Sequence, residues 1–94
     1  MSHPAIRGLS TAQLLSVADL VGREFRASVR DLSAIAASAA TTTAELNGMP
    51  IHDSVTAAAA HLKRTIQRLT PMTDANEELA DMAALVLLEL NREG

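Results

Sequence analysis

The residues best suited to chemistry in this sequence are three histidines, because imidazole is the side chain that titrates near neutral pH. They are His3, His52 and His61, and they are widely spaced. His61 lies in the stretch AAAAHLKR beside Lys63 and Arg64, so it could accept a phosphoryl group next to two cations. The interpretation that we favour is a histidine on the surface or boundary of a helix.

The sequence predicts no metal site and no enzyme. His52 and Asp53 are neighbours, but adjacent helical residues point in different directions and no third ligand is close in sequence. A carboxylate cluster on one side of a helix lacks the Glu-x-x-His pattern of di-metal bundles, so a solvated or arginine-paired face is expected. Its members are Asp74, Glu77, Glu78 and Asp81. Without cysteine, a phosphate loop or a nucleophile elbow, we expect no catalytic residue and no cofactor.

Nucleic acid is not an expected partner either. Six basic residues could form a band across two helices: Arg23, Arg26, Arg30, Lys63, Arg64 and Arg68. The net charge is nevertheless -3, and the single aromatic residue offers little base stacking. A phosphotransfer or nucleic-acid-binding regulator therefore stays an alternative.

The elements that position these residues are predicted to be helices of one domain. The chain has 94 residues, and 48% of them are hydrophobic with one aromatic among them, which favours close helix packing over strands. Residues 1–9 are predicted to be a flexible arm and residues 10–94 a single helical-hairpin domain. Ser10 and Gln13 form a capping box that should start the first helix.

Apolar or small residues then recur at alternating steps of four and three, which predicts one long helix from Ser10 to about Leu46. This heptad seam comprises Leu14, Ala18, Val21, Phe25, Ser28, Leu32, Ile35, Ala39, Thr42 and Leu46. Gly22 interrupts the helical pattern, and it indicates a bend or the close approach of another segment.

Asn47, Gly48 and Pro50 predict the turn between two antiparallel arms. Asn47 and Gly48 can end a helix in the left-handed conformation, and Pro50 suits the first turn of the next helix. The second arm should run to about Leu69, where Pro71 kinks or breaks it before a last segment that ends near Asn91. The predicted fold is an all-α antiparallel helical hairpin of two to three helices.

The segment from Ala80 to Leu90 is apolar around nearly its whole circumference, and one neighbouring helix cannot cover it. We therefore expect two hairpins to associate into a four-helix bundle with coiled-coil-like packing, as a homodimer or as a heterodimer with another helical protein. The predicted interface residues are Phe25, Leu32, Leu79, Met82, Leu85, Val86 and Leu90.

Two stretches resemble known families. Leu46-Asn47-Gly48 in the centre of the chain resembles the motif of the Trp-x-Gly family of small type VII secretion substrates, with Leu46 in place of the tryptophan. That resemblance implies a secreted protein of two long helices. The stretch from Ala27 to Asp31 is similar to the dimerisation hairpin of some histidine kinases, with Ala27 at the phosphoacceptor position, and it implies a dimeriser without catalysis.

The apolar run from Met82 to Leu90 is too short to span a bilayer, and the first residues lack the pattern of a cleavable signal. We therefore predict a cytoplasmic location, with secretion without a cleavable signal as the alternative. The expected function is that of a small acidic protein–protein interaction module, such as a dimerising adaptor, a chaperone or a structural subunit of a larger assembly.

Overall fold

The computed structural model describes residues 6–46, 49–50 and 52–92, and these residues form an all-α bundle with four α-helices. The helices are α1 (Thr11–Phe25), α2 (Leu32–Ala40), α3 (Val55–Leu69) and α4 (Asn76–Leu90). A 3-10 turn at Thr41–Thr43 follows α2, and two-residue strands, β1 (Glu45–Leu46) and β2 (Met49–Pro50), precede α3. The predicted all-α fold is confirmed.

Each helix packs against two others around one core. The α3 and α4 helices make the most extensive contact, and α1 and α2 complete the bundle by packing on each other, with α1 also contacting α4 and α2 contacting α3. Every helix contributes large side chains that are fully buried: Leu14, Ile35, Leu62, Ile66, Leu79 and Leu87. Burial of each such side chain stabilises the fold by about 1.5–3 kcal/mol. A single chain thus forms a bundle of four helices, whereas the sequence predicts that such a bundle forms from two associated hairpins.

The predicted single helix from Ser10 to Leu46 is wrong, because the chain leaves the helix at Arg26 and re-enters it at Leu32. Arg26 adopts the left-handed conformation (φ 56°), and its amide donates to the carbonyl of Gly22. A Cβ atom at residue 22 would lie 2.5 Å from the carbonyl oxygen of Ala27, so Gly22 permits the close approach of the returning chain. Asp31 then caps α2 by accepting from the amide of Ala34 at 3.1 Å.

Six members of the heptad seam nevertheless face the core of the bundle. Its buried members are Leu14, Ala18, Val21, Ile35, Ala39 and Thr42. Phe25 and Leu32, which belong to the middle of the seam, flank the break and are exposed. The same periodicity therefore describes two separate core-facing helices.

Pro71 breaks the second arm, as one of the two predicted alternatives had it. Thr70 ends α3 in the left-handed conformation (φ 43°), and α4 begins at Asn76. The connection between α3 and α4 pairs with the connection between α1 and α2: the amide of Thr73 donates to Ser28 at 2.8 Å, and the amide of Arg30 donates to Pro71 at 2.8 Å. The guanidinium of Arg30 also donates to the Thr70 carbonyl at 3.1 Å. Both connections are thereby joined at one end of the bundle.

The chain reverses direction near its centre, since β1 and β2 pair antiparallel with Glu45 opposite Pro50. The predicted turn residues Asn47 and Gly48 lie outside the described residues. Pro50 belongs to β2, so its predicted place in the first turn of a helix is wrong. Ser54 starts the helix instead, because its hydroxyl accepts from the amide of Ala57 at 3.1 Å.

Residues 6–9 of the predicted flexible arm are packed on the bundle, while residues 1–5 lie outside the described residues. Leu9 is buried, and its amide donates to the hydroxyl of Thr42 at 3.0 Å. The amide of Arg7 donates to the side chain of Asn91 at 2.7 Å, and Asn91 donates back to the carbonyl of Arg7 at 2.8 Å. The predicted capping box then starts α1, with Ser10 and Gln13 exchanging both of its hydrogen bonds.

Candidate protein-binding surface

Three large apolar side chains lie exposed side by side on α4. Met82 is 45% exposed, Leu85 57% and Leu88 38%. Because residues three apart are neighbours on a helix, the three side chains share one side, which we call the outer face. The opposite side of α4 faces the core and buries Leu79, Ala80, Ala83 and Leu87. The helix is thus apolar on two sides, and the chain covers one of them.

A shallow groove of about 370 Å³ lies along one edge of the outer face. Its lining is mostly apolar and consists of Met82, Leu85, Val86, Glu89 and Leu90. Val86 and Leu90 are half-buried, because they also pack against the core. An apolar helix of another protein could therefore bury side chains both on the outer face and in this groove.

Charged residues lie on and beside the outer face. Glu78 lies exposed in the first turn of α4, where the helix dipole favours a carboxylate. The Asp81 carboxylate pairs with Nζ of Lys63 on α3 at 2.8 Å, and this hydrogen bond, together with the Asp81 charge, raises the pKa of Lys63. Glu89 pairs with Arg92 at 3.4 Å. The predicted carboxylate cluster is therefore exposed, and its Asp81 is paired with a lysine rather than with an arginine.

The structure divides the predicted interface residues into three groups. Met82 and Leu85 are on the outer face, and Val86 and Leu90 line the groove beside it. Leu79 is completely buried in the core of the chain, so we leave it out of the binding surface. Phe25 and Leu32 are exposed at the connection between α1 and α2.

Leu88 completes the outer face, although it is not among the predicted interface residues. It follows Leu85 by three positions and Met82 by six, so the helical spacing alone places the three on one side. The three-residue spacing is visible in the sequence, but the spacing alone does not show which side of a helix that is apolar all round faces the core.

A second groove, of about 480 Å³, contains His61. It is lined by His61, Arg64, Thr65, Gln67 and Arg68 of α3. The ring of His52 lies 5.1 Å from that of His61 in an edge-to-face arrangement, and its Nε2 donates to the carbonyl of Thr41 at 2.8 Å. Partial burial lowers the pKa of His61, and the charges of His52, Arg64 and Arg68 lower it further. The fold thus brings together two histidines that are separate in sequence.

Among the described residues, no three histidine or carboxylate side chains are grouped closely enough to hold a metal ion. No helix in the same ranges has the length and apolar character needed to cross a membrane. Comparisons of the chain with protein-family models, with curated proteins and with solved structures give no match. Function is therefore inferred from the surfaces of the bundle.

Proposed function

We propose that this protein is a non-enzymatic interaction module that binds an apolar helix of another protein chain on the outer face of α4. The observation that carries the proposal is the exposure of Met82, Leu85 and Leu88 side by side on one helix. Adjacent exposed apolar side chains with a polar border are typical of protein-binding surfaces. Such a module would serve as an adaptor, a chaperone or a structural subunit.

The arrangement of the surface fits a helical partner. Side chains three residues apart form a ridge along α4, and the groove beside it can receive the ridge of a second helix. Charged residues such as Glu78 and Arg92 lie at the border of this surface. Charges at such positions determine the orientation of a bound partner more than the affinity for it.

The test is the substitution Leu85→Asp, which puts a charge at the centre of the outer face. Because Leu85 is 57% exposed, the variant should keep the helical circular dichroism of the wild type and still unfold cooperatively. Burying this charge without a partner opposes binding, so we expect loss of the bound chain in sedimentation and affinity purification.

The matched control is Leu20→Asp on α1, where the leucine is 61% exposed. It introduces the same charge at an equally exposed leucine away from the outer face, and it should keep the bound chain. Equal retention by the wild type and both variants would contradict the proposal, as would equal loss in both variants.

A second candidate function is phosphoryl transfer through His61. This candidate is favoured by the position of the imidazole in a groove with the guanidinium groups of Arg64 and Arg68, which would offset the charge of a phosphoryl group. In the test, phosphoramidate supplies the phosphoryl group to the imidazole nitrogen and releases ammonia. With His3 replaced by glutamine throughout, we expect a phosphohistidine signal in ³¹P NMR that His61→Gln removes and His52→Gln retains. Equal signals in the two variants would contradict this candidate.

The type VII alternative gains no support from the architecture. The Trp-x-Gly resemblance implies two long helices, whereas each half of this chain forms two short ones.

A further inference from the structure

We infer that the chain bound on the outer face is a second copy of this protein, paired antiparallel through α4 about a two-fold axis at Leu85. The inference rests on the proposed function, because it requires the outer face to be the binding surface. It adds the identity of the partner and the register of the contact.

The residues of the outer face, and the charged residues at its two ends, lie at equal sequence separations before and after Leu85. Met82 and Leu88 lie three positions before and after it, and Glu78 and Arg92 lie seven positions before and after it. Seven residues make about two turns of α-helix, so Glu78 lies on nearly the same side as Leu85. Arg92 follows the end of α4, and its ion pair with Glu89 at 3.4 Å brings its charge to the C-terminal end of this side.

An antiparallel pair centred on Leu85 places complementary groups opposite each other. Each Met82 meets Leu88 of the second copy, and Leu85 meets its own equivalent. Each Glu78 meets Arg92 of the second copy, which gives one opposite-charge pair at either end. The contact is thus complementary to itself, as a two-fold interface requires.

The parallel arrangement is less favourable. It places Glu78 opposite Glu78 and Arg92 opposite Arg92, and it aligns the two helix dipoles in the same direction. The antiparallel pair does bring Asp81 near Glu89 of the second copy. Asp81 already has its own cation, since Lys63 lies 2.8 Å from it. Arg92 is shared in the dimer between Glu89 of its own chain, at 3.4 Å, and Glu78 of the second copy.

The self-complementary order of charges favours a second copy over a different protein. A different protein would need charges complementary to those of the outer face. It would not require the acid and the base on α4 to lie at equal distances from Leu85. The helix dipole also favours an acid at the start of α4 and a base at its end, yet it does not require equal distances from Leu85.

The experiment reverses the two charges separately and together in the full chain. Glu78→Arg alone places two arginines opposite each other at both ends, and Arg92→Glu alone does the same with two glutamates. We expect each variant to raise the dimer dissociation constant about tenfold in sedimentation equilibrium. An equimolar mixture of the two variants, or the double variant, should return to the wild-type value. The control is Glu24→Arg, an exposed residue of α1, which should leave the dimer unchanged.

Each outcome separates this inference from the proposed function. A wild-type chain that stays monomeric, while Leu85→Asp still abolishes binding of a different protein, overturns the inference and leaves the proposed function standing. A dimer that Leu85→Asp does not weaken overturns the inference, and the proposed function then fails only if Leu85→Asp also leaves the binding of a different protein unchanged. A dimer that Leu85→Asp disrupts, but in which mixing the two charge variants restores nothing, overturns the antiparallel register alone.

Discussion

Ser38 is an exception among the buried polar residues of the core. Its side chain is fully buried, and within the described residues its hydroxyl has no hydrogen-bond partner. The other two buried hydroxyls are satisfied: Thr42 donates to the carbonyl of Ala39 at 2.7 Å, and Thr65 donates to that of His61 at 2.9 Å. Because a buried hydroxyl without a partner costs about 1–3 kcal/mol, Ser38 lowers the stability of the bundle.

We predict that Ser38→Ala raises the free energy of unfolding by about 1 kcal/mol, because it removes the unsatisfied hydroxyl and improves helix propensity. Urea unfolding measures the change. The control is Ser33→Ala, an exposed position of the same helix, which tests helix propensity without burial and should change stability by a few tenths of a kcal/mol. If Ser38→Ala instead lowers the free energy of unfolding while Ser33→Ala leaves it nearly unchanged, the Ser38 hydroxyl has a hydrogen-bond partner.

Residues with unusual backbone conformations follow α1 and α3 and precede α4. Among the described residues, three that are not glycine have positive φ angles: Arg26 at 56°, Thr70 at 43° and Ala75 at 62°. The left-handed region costs about 1–2 kcal/mol for a residue with a Cβ atom. These residues border the two connections that pair with each other, so the hydrogen bonds between the connections offset the backbone strain.

Arg26→Gly is therefore expected to stabilise the protein by about 0.5–1 kcal/mol, since glycine adopts the left-handed conformation without the Cβ clash. Arg26 is exposed, so the substitution leaves no cavity. Arg23→Gly, three residues earlier within α1, is the matched control and should destabilise by about 1 kcal/mol. Thermal unfolding compares the two, and a melting temperature that falls equally in both variants would contradict the strain at Arg26.

At the scale of the whole molecule, the features that could be predicted are those that depend on residues close together in the sequence. The capping box at Ser10 was correct, and so was an interruption at Pro71, for which a kink and a break were both open, because each is set by residues within a few positions. The break at Arg26 was missed, because the connection from Arg26 to Asp31 contains no glycine or proline and the apolar period continues across it. Hydrogen bonds between residues 28–31 and residues 71–73 hold that connection, and no local pattern encodes them.

Only part of the candidate surface could be predicted, because its position also depends on contacts between distant parts of the sequence. The apolar circumference of the last segment correctly indicated more apolar surface than one neighbour covers. The division into a buried side with Leu79 and an outer face with Leu85 depends on where α1 and α3 pack. A helix that is apolar all round does not contain this information in its own spacing.

The two hydrogen bonds between Arg7 and Asn91 set an order for folding during synthesis. A ribosome makes the N-terminal residues first, so Arg7 and the side of α1 that packs on α4 lack their native partner until α4 has emerged. The bundle therefore closes after translation of this region, and until then the nascent chain offers the apolar side of α1 to any chaperone nearby.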